Sequence, residues 1–350
     1  MEAWKVVAPS APLEHFTGPT PSPVGSEVLV EVTHCGVCHS DLHFWRGEYN
    51  LGGGKVLKLA DRGVELPRAP GHEVAGRVVA LGPDATGVVV GDLRVVYPWL
   101  GCGACEHCAE GHDNMCATPK AIGVVRDGGF GSHVLVPHAR YLVDPGNVDL
   151  ALAATYACSG ITVYSAIRKI MPLSPDAPVV LIGAGGLGLM GIAMLKAMDH
   201  RNIVTVDIDP AKRGAALHEG ATQVVDGTGE GLTQRILDSC GPVAAVIDFV
   251  GADATARAGF DALAKGGKLI IVGVAGGELT LSLAGMIFGA KAVLGSLTGD
   301  PHDLRAVIAL ANSGKLKPTP VTLCPHDEAN RALDELHHGK VTGRMVLVRG

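Results

Sequence analysis

The sequence predicts an α/β protein in two parts, a β-rich first half followed by a doubly wound parallel sheet, and three observations carry that prediction. Up to about residue 160, short apolar segments are separated by Gly, Pro and Asp clusters, the pattern of strands joined by tight turns. From Pro178 onward, apolar strands alternate with helical stretches. At the first junction of that second pattern stands Gly183-Ala-Gly-Gly-Leu-Gly188, a G-x-G-x-x-G turn between strand and helix. With 47% hydrophobic and 18% charged residues over 350 positions, the chain can bury two cores, and a disordered chain is excluded. A net charge of -6 leaves no broad basic field for nucleic acid or anionic lipid, and 4% aromatics leave no stacking platform for bases. The 48 glycines suit tight turns, and the composition favours an enzyme acting on a small molecule.

In the first half, strands are expected at residues 28–32, 73–81, 94–99 and 133–143, where β-branched residues run between turn signals. The second half reads as a strand at 179–182, a helix at 186–198, a strand at 203–206 and a helix at 210–219 opened by Pro210. Further strands are expected at 221–225, 244–250, 268–274 and 291–296, giving six parallel strands with helical crossovers. The tail holds helical stretches at 304–312 and 327–338 and an apolar strand at 345–348 that is expected to return to the first domain. Two uncharged stretches, 177–195 and 150–167, reach membrane-spanning length. Glycines break the first, and the second carries Thr155, Tyr156, Ser159, Thr162 and Tyr164, so both are read as buried. Nine cysteines in a long chain that opens without a secretory pattern point to a reducing cytoplasm rather than to disulfides.

Three motifs carry chemistry. In the first, Gly183, Gly185, Gly186 and Gly188 let a pyrophosphate approach the N-terminal N–H groups of the following helix. Asp207 ends the next strand, 19 residues past Gly188, where a carboxylate can accept from both hydroxyls of an adenosine ribose, which favours NAD over NADP. In the second motif, Cys102, Cys105, Cys108 and Cys116 supply four thiolates, enough to close a tetrahedral zinc site with no open position. That makes it structural rather than catalytic. The third is dispersed: Cys38, His72 and Cys158 would hold a second zinc and leave its fourth position for substrate. Cys35, Cys240 and Cys324 have no such company and are expected to be small buried hydrophobes.

Here the chain resembles the zinc-dependent medium-chain alcohol dehydrogenases over nearly its whole length. The likeness rests on Gly71-His72-Glu73-x2-Gly76-x5-Gly82-x2-Ala85, on Cys38-His-Ser-Asp-Leu-His-Phe-Trp45, on the four-cysteine lobe and on the dinucleotide turn that follows them. It implies a GroES-like β-rich catalytic domain over 1–159, a Rossmann NAD-binding domain over 160–298 and a return to the catalytic domain over 299–350. It implies two zinc ions per chain, one catalytic on Cys38, His72 and Cys158 and one structural. Asp41 is similar to the carboxylate that orients the ligand histidine, and Glu73 to a glutamate beside the metal. Ser40 resembles the hydroxyl that contacts the substrate oxygen, with His43 at the outer end of a proton relay. His39 and Arg344 match positions near the pyrophosphate and Thr162 one near the nicotinamide; Leu187, Lys212, Val272 and Val274 fall at further cofactor-binding positions. Trp45 and Trp99 sit where the family lines its substrate pocket. The implied reaction is reversible oxidation of a primary or secondary alcohol by hydride transfer to NAD, in a homotetramer or dimer. A polyol, formaldehyde or cinnamyl-type dehydrogenase or carbonyl reductase on the same scaffold is the alternative, and a non-catalytic NAD- and zinc-binding protein is a further one. Two departures stand out: residues 47–70, with Gly52-Gly-Gly54, are longer than in compact members and border the substrate entrance, and Leu93 separates Asp92 from Arg94 where the family has Arg directly after Asp.

Overall fold

In a computed structural model that describes residues 1–349, the first half folds around one twisted sheet. A small hairpin pairs β1 (Glu2–Lys5) with β2 (Glu14–Thr17), and β3 (Val28–Val37) runs on into α1 (His39–Arg46). A second hairpin follows, β4 (Glu48–Gly52) with β5 (Lys55–Lys58), then β6 (Glu73–Leu81) and β7 (Leu93–Val96). A lobe carrying the short helix α2 (Glu106–Ala109) precedes β8 (His133–Val136) and β9 (Leu142–Val143). The single strand expected at 133–143 is therefore two strands. Pro137 has no N–H to give to a ladder, and the chain turns there, so that β8 pairs with β3 and β9 with β7.

A 21-residue helical segment joins the halves: α3 (Leu150–Thr155), a wide turn over Tyr156–Gly160 and α4 (Ile161–Ile170). It is long and apolar enough to cross a membrane by composition, yet 89% of that window is buried inside the protein. The second half then alternates strand and helix: β10 (Val179–Ile182), α5 (Gly186–Ala197), β11 (Ile203–Asp207), α6 (Pro210–Glu219), β12 (Gln223–Asp226), α7 (Leu232–Cys240), β13 (Val243–Asp248), α8 (Asp253–Ala262), β14 (Leu263–Ile271), α9 (Leu283–Gly289) and β15 (Ala292–Gly295). All six strands are parallel, in the order β12-β11-β10-β13-β14-β15. The order reverses between β10 and β13, which places a ligand crevice at their carboxyl ends. β10 is buried on both faces, as its unbroken Val-Val-Leu-Ile run requires.

The tail adds α10 (Pro301–Asn312), β16 (Val321–Pro325), α11 (Ala329–His337) and β17 (Arg344–Val348). β17 lies antiparallel to β3, with Met345 opposite Val37 and Val348 opposite His34, so the chain's end returns to the first sheet. The sheet order there is β16-β17-β3-β6-β7-β9. This return brings Arg344 to the crevice between the two halves.

Candidate active site

Three elements from distant parts of the sequence supply one cluster. Cys38 caps the N-terminus of α1, His72 and Glu73 lead into β6, and Cys158 lies in the wide turn between α3 and α4. An extra residue in a helical turn re-aims a side chain, and such turns are common at functional sites. Ligand atoms of Cys38, His72, Glu73 and Cys158 all lie within 4.8 Å of one another, and the two sulfurs are 4.0 Å apart. Asp41 organises the cluster: its Oδ1 accepts from Gly71 N at 3.0 Å and pairs with His72 Nδ1 at 3.1 Å, while its Oδ2 accepts from Cys38 N at 2.9 Å. An Nδ1–H donating to Asp41 leaves His72 Nε2 with its lone pair, and that atom is buried with no partner, as is Glu73 Oε2. Two thiols, an imidazole and a carboxylate with orphaned donor atoms are a fitting set for zinc. The hydrogen bond from Cys158 holds Cys38 well below the usual thiol range, and the same bond with burial holds Cys158 above it.

Glu73 and Arg344 form an ion pair buried in the crevice, and Glu73 Oε1 also accepts from Ser159 N at 3.3 Å. Burial pushes the Glu73 carboxyl up to about 7 against the pull of Arg344. A Cβ on Gly186 would run into Arg344, so one guanidinium touches both the metal-ligand cluster and the glycine turn. Ser40 and His43 lie three apart on α1, hence on neighbouring positions of one helix face. Burial, with the charges of Arg46 and His39, lowers His43 below the ordinary imidazole range. Its ring stacks on Tyr49, centroids 4.7 Å apart. Trp99 stands over His72 with ring centroids 5.1 Å apart.

Trp45 does not join this group. It is two residues past His43, about 200° around the helix, and its indole N–H donates to Ala11 O at 2.6 Å while its ring packs edge-on against His337 of α11. The expectation that it lines the pocket is corrected: Trp45 fastens α1 to the N-terminal segment and the tail. Tyr49 is the aromatic residue that faces the site, which the sequence signals only by its place six residues past His43 in the long 47–70 segment.

The glycine turn joins β10 to α5. Gly183 has φ +96°, and a Cβ on Gly188 would collide with Gly183 O, so both positions require glycine. Gly185 caps α5 without any side-chain partner, and a Cβ there would meet nothing within 4 Å; its neighbourhood is open space in front of free helix N–H groups. Leu187 follows in the first turn, half-buried. Asp207 ends β11 and accepts from Ala184 N at 2.7 Å and Asp209 N at 2.9 Å, which fixes its carboxylate beside the turn. His39, at the start of α1, is lowered by desolvation and by the charges of Arg344, Lys212 and Arg46, against the opposing pull of Cys38. Val272 and Val274 follow β14, next to the loop after β13, where a Cβ on Gly251 would strike Gly273 O. Thr162, buried, follows Cys158 by four residues on α4.

The second cluster shares no residue with the first. Cys102, Cys105, Cys108 and Cys116 bring their sulfurs together, with Cys105 to Cys108 at 3.4 Å and Cys105 to Cys116 at 3.9 Å. Backbone N–H groups of Ala104 and Thr118 point at Cys102 and Cys116, and Ala104 N with Cys105 N lowers Cys102 to about 6. Four sulfurs with backbone donors fit a closed zinc site.

Comparison with known proteins agrees with this geometry. Residues 25–145 match the alcohol dehydrogenase GroES-like domain and residues 186–313 match the zinc-binding dehydrogenase family. The chain is 37% identical to an NAD-dependent alcohol dehydrogenase of Sulfurisphaera tokodaii over 99% of its length and all of that protein's. It is also 37% identical to a D-arabinose 1-dehydrogenase (NADP(+)) of Saccharolobus solfataricus over 93% of its length and 91% of that protein's. The crystal structure of an alcohol dehydrogenase from Aeropyrum pernix superposes with a TM-score of 0.89 at 30% identity, covering all of both chains.

Proposed function

The chain belongs to the zinc-type medium-chain alcohol dehydrogenases, and from that premise we propose the residue roles by which it interconverts an alcohol and its aldehyde or ketone with NAD. The observation that carries the reading is the cluster of Cys38, His72, Glu73 and Cys158, whose buried His72 Nε2 and Glu73 Oε2 have no protein partner. Zinc held there by Cys38, His72 and Cys158 would lower the pKa of an alcohol hydroxyl as a Lewis acid, and NAD on the glycine turn would accept the hydride. The protein's residues do the rest. Asp41 locks the His72 tautomer, and the Glu73–Arg344 pair braces the cluster against the cofactor side. Ser40 takes the hydroxyl proton and His43, neutral at pH 7 because burial lowers it, passes it outward. Arg344 and Lys212 balance the pyrophosphate charge, His39 stands beside it as a neutral imidazole, Gly183 to Gly188 admit it, and Asp207 accepts from the ribose hydroxyls. Leu187, Thr162, Val272 and Val274 flank the dinucleotide, and Trp99 covers the alcohol side of His72.

Cys102, Cys105, Cys108 and Cys116 hold the second, structural zinc. All nine cysteines are unpaired by disulfides, which suits a reducing, cytoplasmic setting. Leu283, Ile287 and Phe288 on α9 are each three-quarters exposed or more, beside the edge strand β15, which supports a homo-oligomer, dimer or tetramer, built through that face. The test of the whole reading is nicotinamide absorbance with zinc-replete protein and a panel of primary, secondary and aromatic alcohols, each with NAD and with NADP. Turnover with NAD is expected; silence across the panel, or turnover with NADP alone, contradicts it.

A further inference from the structure

Asp248 ends β13, at the carboxyl edge where the strand order reverses, and it is fully buried. Taking a carboxylate out of water is costly, and burial pushes this one above the usual carboxylate range. Only neutral donors offset that cost: Oδ1 accepts from Val250 N at 2.9 Å and Gly251 N at 3.0 Å, and Oδ2 accepts from the Thr255 hydroxyl of α8 at 2.8 Å. An apolar side chain would close this end of the sheet more cheaply, so the carboxylate is explained by what it holds.

It holds a loop wedged between the glycine turn and the chain leaving β14. On one side, a Cβ built on Gly183 would lie 3.1 Å from Val250 Cγ2, and one on Gly191 of α5 would lie 3.4 Å from the Phe249 ring. On the other side the backbone continues the parallel ladder past the end of the sheet. Asp248 O accepts from Val272 N at 2.9 Å and Gly273 N at 3.0 Å, Val250 O from Ala275 N at 3.1 Å, and Gly251 O from Gly276 N at 3.1 Å. The two segments touch: a Cβ on Gly251 would strike Gly273 O, and one on Gly273 would strike the Val250 carbonyl. One residue therefore sets the spacing between the glycine turn, the loop after β13 and the chain after β14. With its adenosine half at Asp207 on β11, a dinucleotide would extend across the glycine turn toward β13 and β14, on the far side of β10.

We propose that Asp248 is a positioning residue for the nicotinamide half of the dinucleotide, its carboxylate holding residues 249–251 and its carbonyl oxygen residues 272–273 at the spacing that half requires. The inference rests on the NAD reading of the glycine turn and adds the residue that shapes the seat of the ring. It is tested by Asp248→Ala and Asp248→Asn, with NADH binding followed by fluorescence and AMP, a probe of the adenosine half alone, by calorimetric titration. Asp248→Ala leaves Val250 N and Gly251 N without their acceptor, and it should weaken NADH about tenfold or more while AMP stays within about twofold. Asp248→Asn keeps an oxygen for both N–H groups and can donate to Thr255 Oγ1, whose hydroxyl retains Ala252 O, so NADH should stay within about threefold of wild type. NADH and AMP weakened equally in Asp248→Ala, NADH unchanged there, or Asp248→Asn as damaging as Asp248→Ala overturns the proposal. Should Asp248→Ala fail to fold, Thr255→Val removes only the donor to Oδ2: about threefold weaker NADH with unchanged AMP supports the role, and no change in either overturns it. If wild type binds neither NADH nor AMP, the NAD reading fails on its own. Amide exchange at Val250 and Gly251, slow in wild type and faster in Asp248→Ala or Thr255→Val, still decides whether Asp248 holds the loop.

Discussion

Asp207 shows how much one carboxylate can decide. Its two oxygens are anchored by Ala184 N and Asp209 N, so the group stands fixed at the end of β11 beside the glycine turn instead of swinging into solvent. Asp207→Gly should lower the NAD-over-NADP ratio of kcat/KM by about tenfold or more, since a lost charged acceptor and a lost repulsion toward phosphate act in the same direction. An unchanged ratio would remove Asp207 from the site. His43 is the second test at this scale. His43→Gln should cut kcat about tenfold or more near pH 7 and progressively less toward alkaline pH, where solvent hydroxide can take the proton. A kcat ratio that stays flat across the pH profile would end the relay role. Residues of this kind were legible in the sequence because short-range spacing encodes them: Cys38 to His43, Gly71 to Glu73 and Gly183 to Gly188 are each contiguous. Trp45 was misjudged because linear proximity to His43 says nothing of which helix face a residue takes, and Tyr49 was missed because its neighbour is set by a hairpin bend.

At the scale of elements, the site depends on contacts that no local pattern announces. β17 carries Arg344 into the crevice only because it pairs with β3, some 300 residues earlier in the chain. There Arg344 meets Glu73 of β6, and a buried charge left alone is costly. Arg344→Met should lower stability by about 3–5 kcal/mol, read from the urea midpoint. Adding Glu73→Leu should restore most of that loss, since the orphaned charge is gone, without restoring NADH affinity. A single variant as stable as wild type would mean that the pair carries no strain of isolation. The four-cysteine lobe makes a separate prediction. Its sulfurs are held by backbone N–H groups and the lobe has little helix or strand of its own, so Cys105→Ser should lower the melting temperature and release one zinc while the second stays bound. The opposite pattern, full stability with loss of turnover alone, would contradict a structural role. The alternation of strand and helix after Pro178 was readable because each crossover repeats one period change, whereas the split of β8 from β9 at Pro137 turned on a single missing N–H.

Over the whole molecule, the two chain ends are tied together beside the first sheet. Arg349 pairs with Glu2 and also donates to His326 Nδ1 at 3.1 Å, so a proton on that nitrogen would face a guanidinium. Burial and Arg349 together lower His326 from the ordinary 6.5 to about 4, against weaker opposing pulls from Glu2 and Asp327. The unfolded chain therefore binds a proton here that the folded chain refuses between those values. The contribution is fully present above pH 6.5 and is lost as pH falls toward 4, by about 3 kcal/mol for a shift of this size. Urea unfolding across that window should show a shallower acid loss in His326→Gln than in wild type, and parallel curves would discount the group.

We propose that alcohol oxidation runs at Cys38, His72 and Cys158 and nowhere else in the chain. The most direct test is to count zinc and follow NAD reduction by the preferred alcohol in the same preparations of wild type and Cys38→Ala. Two zinc ions and turnover in wild type, with one zinc and no turnover in the variant, is the expected result; a variant that keeps both ions and reduces NAD at the wild-type rate contradicts the account.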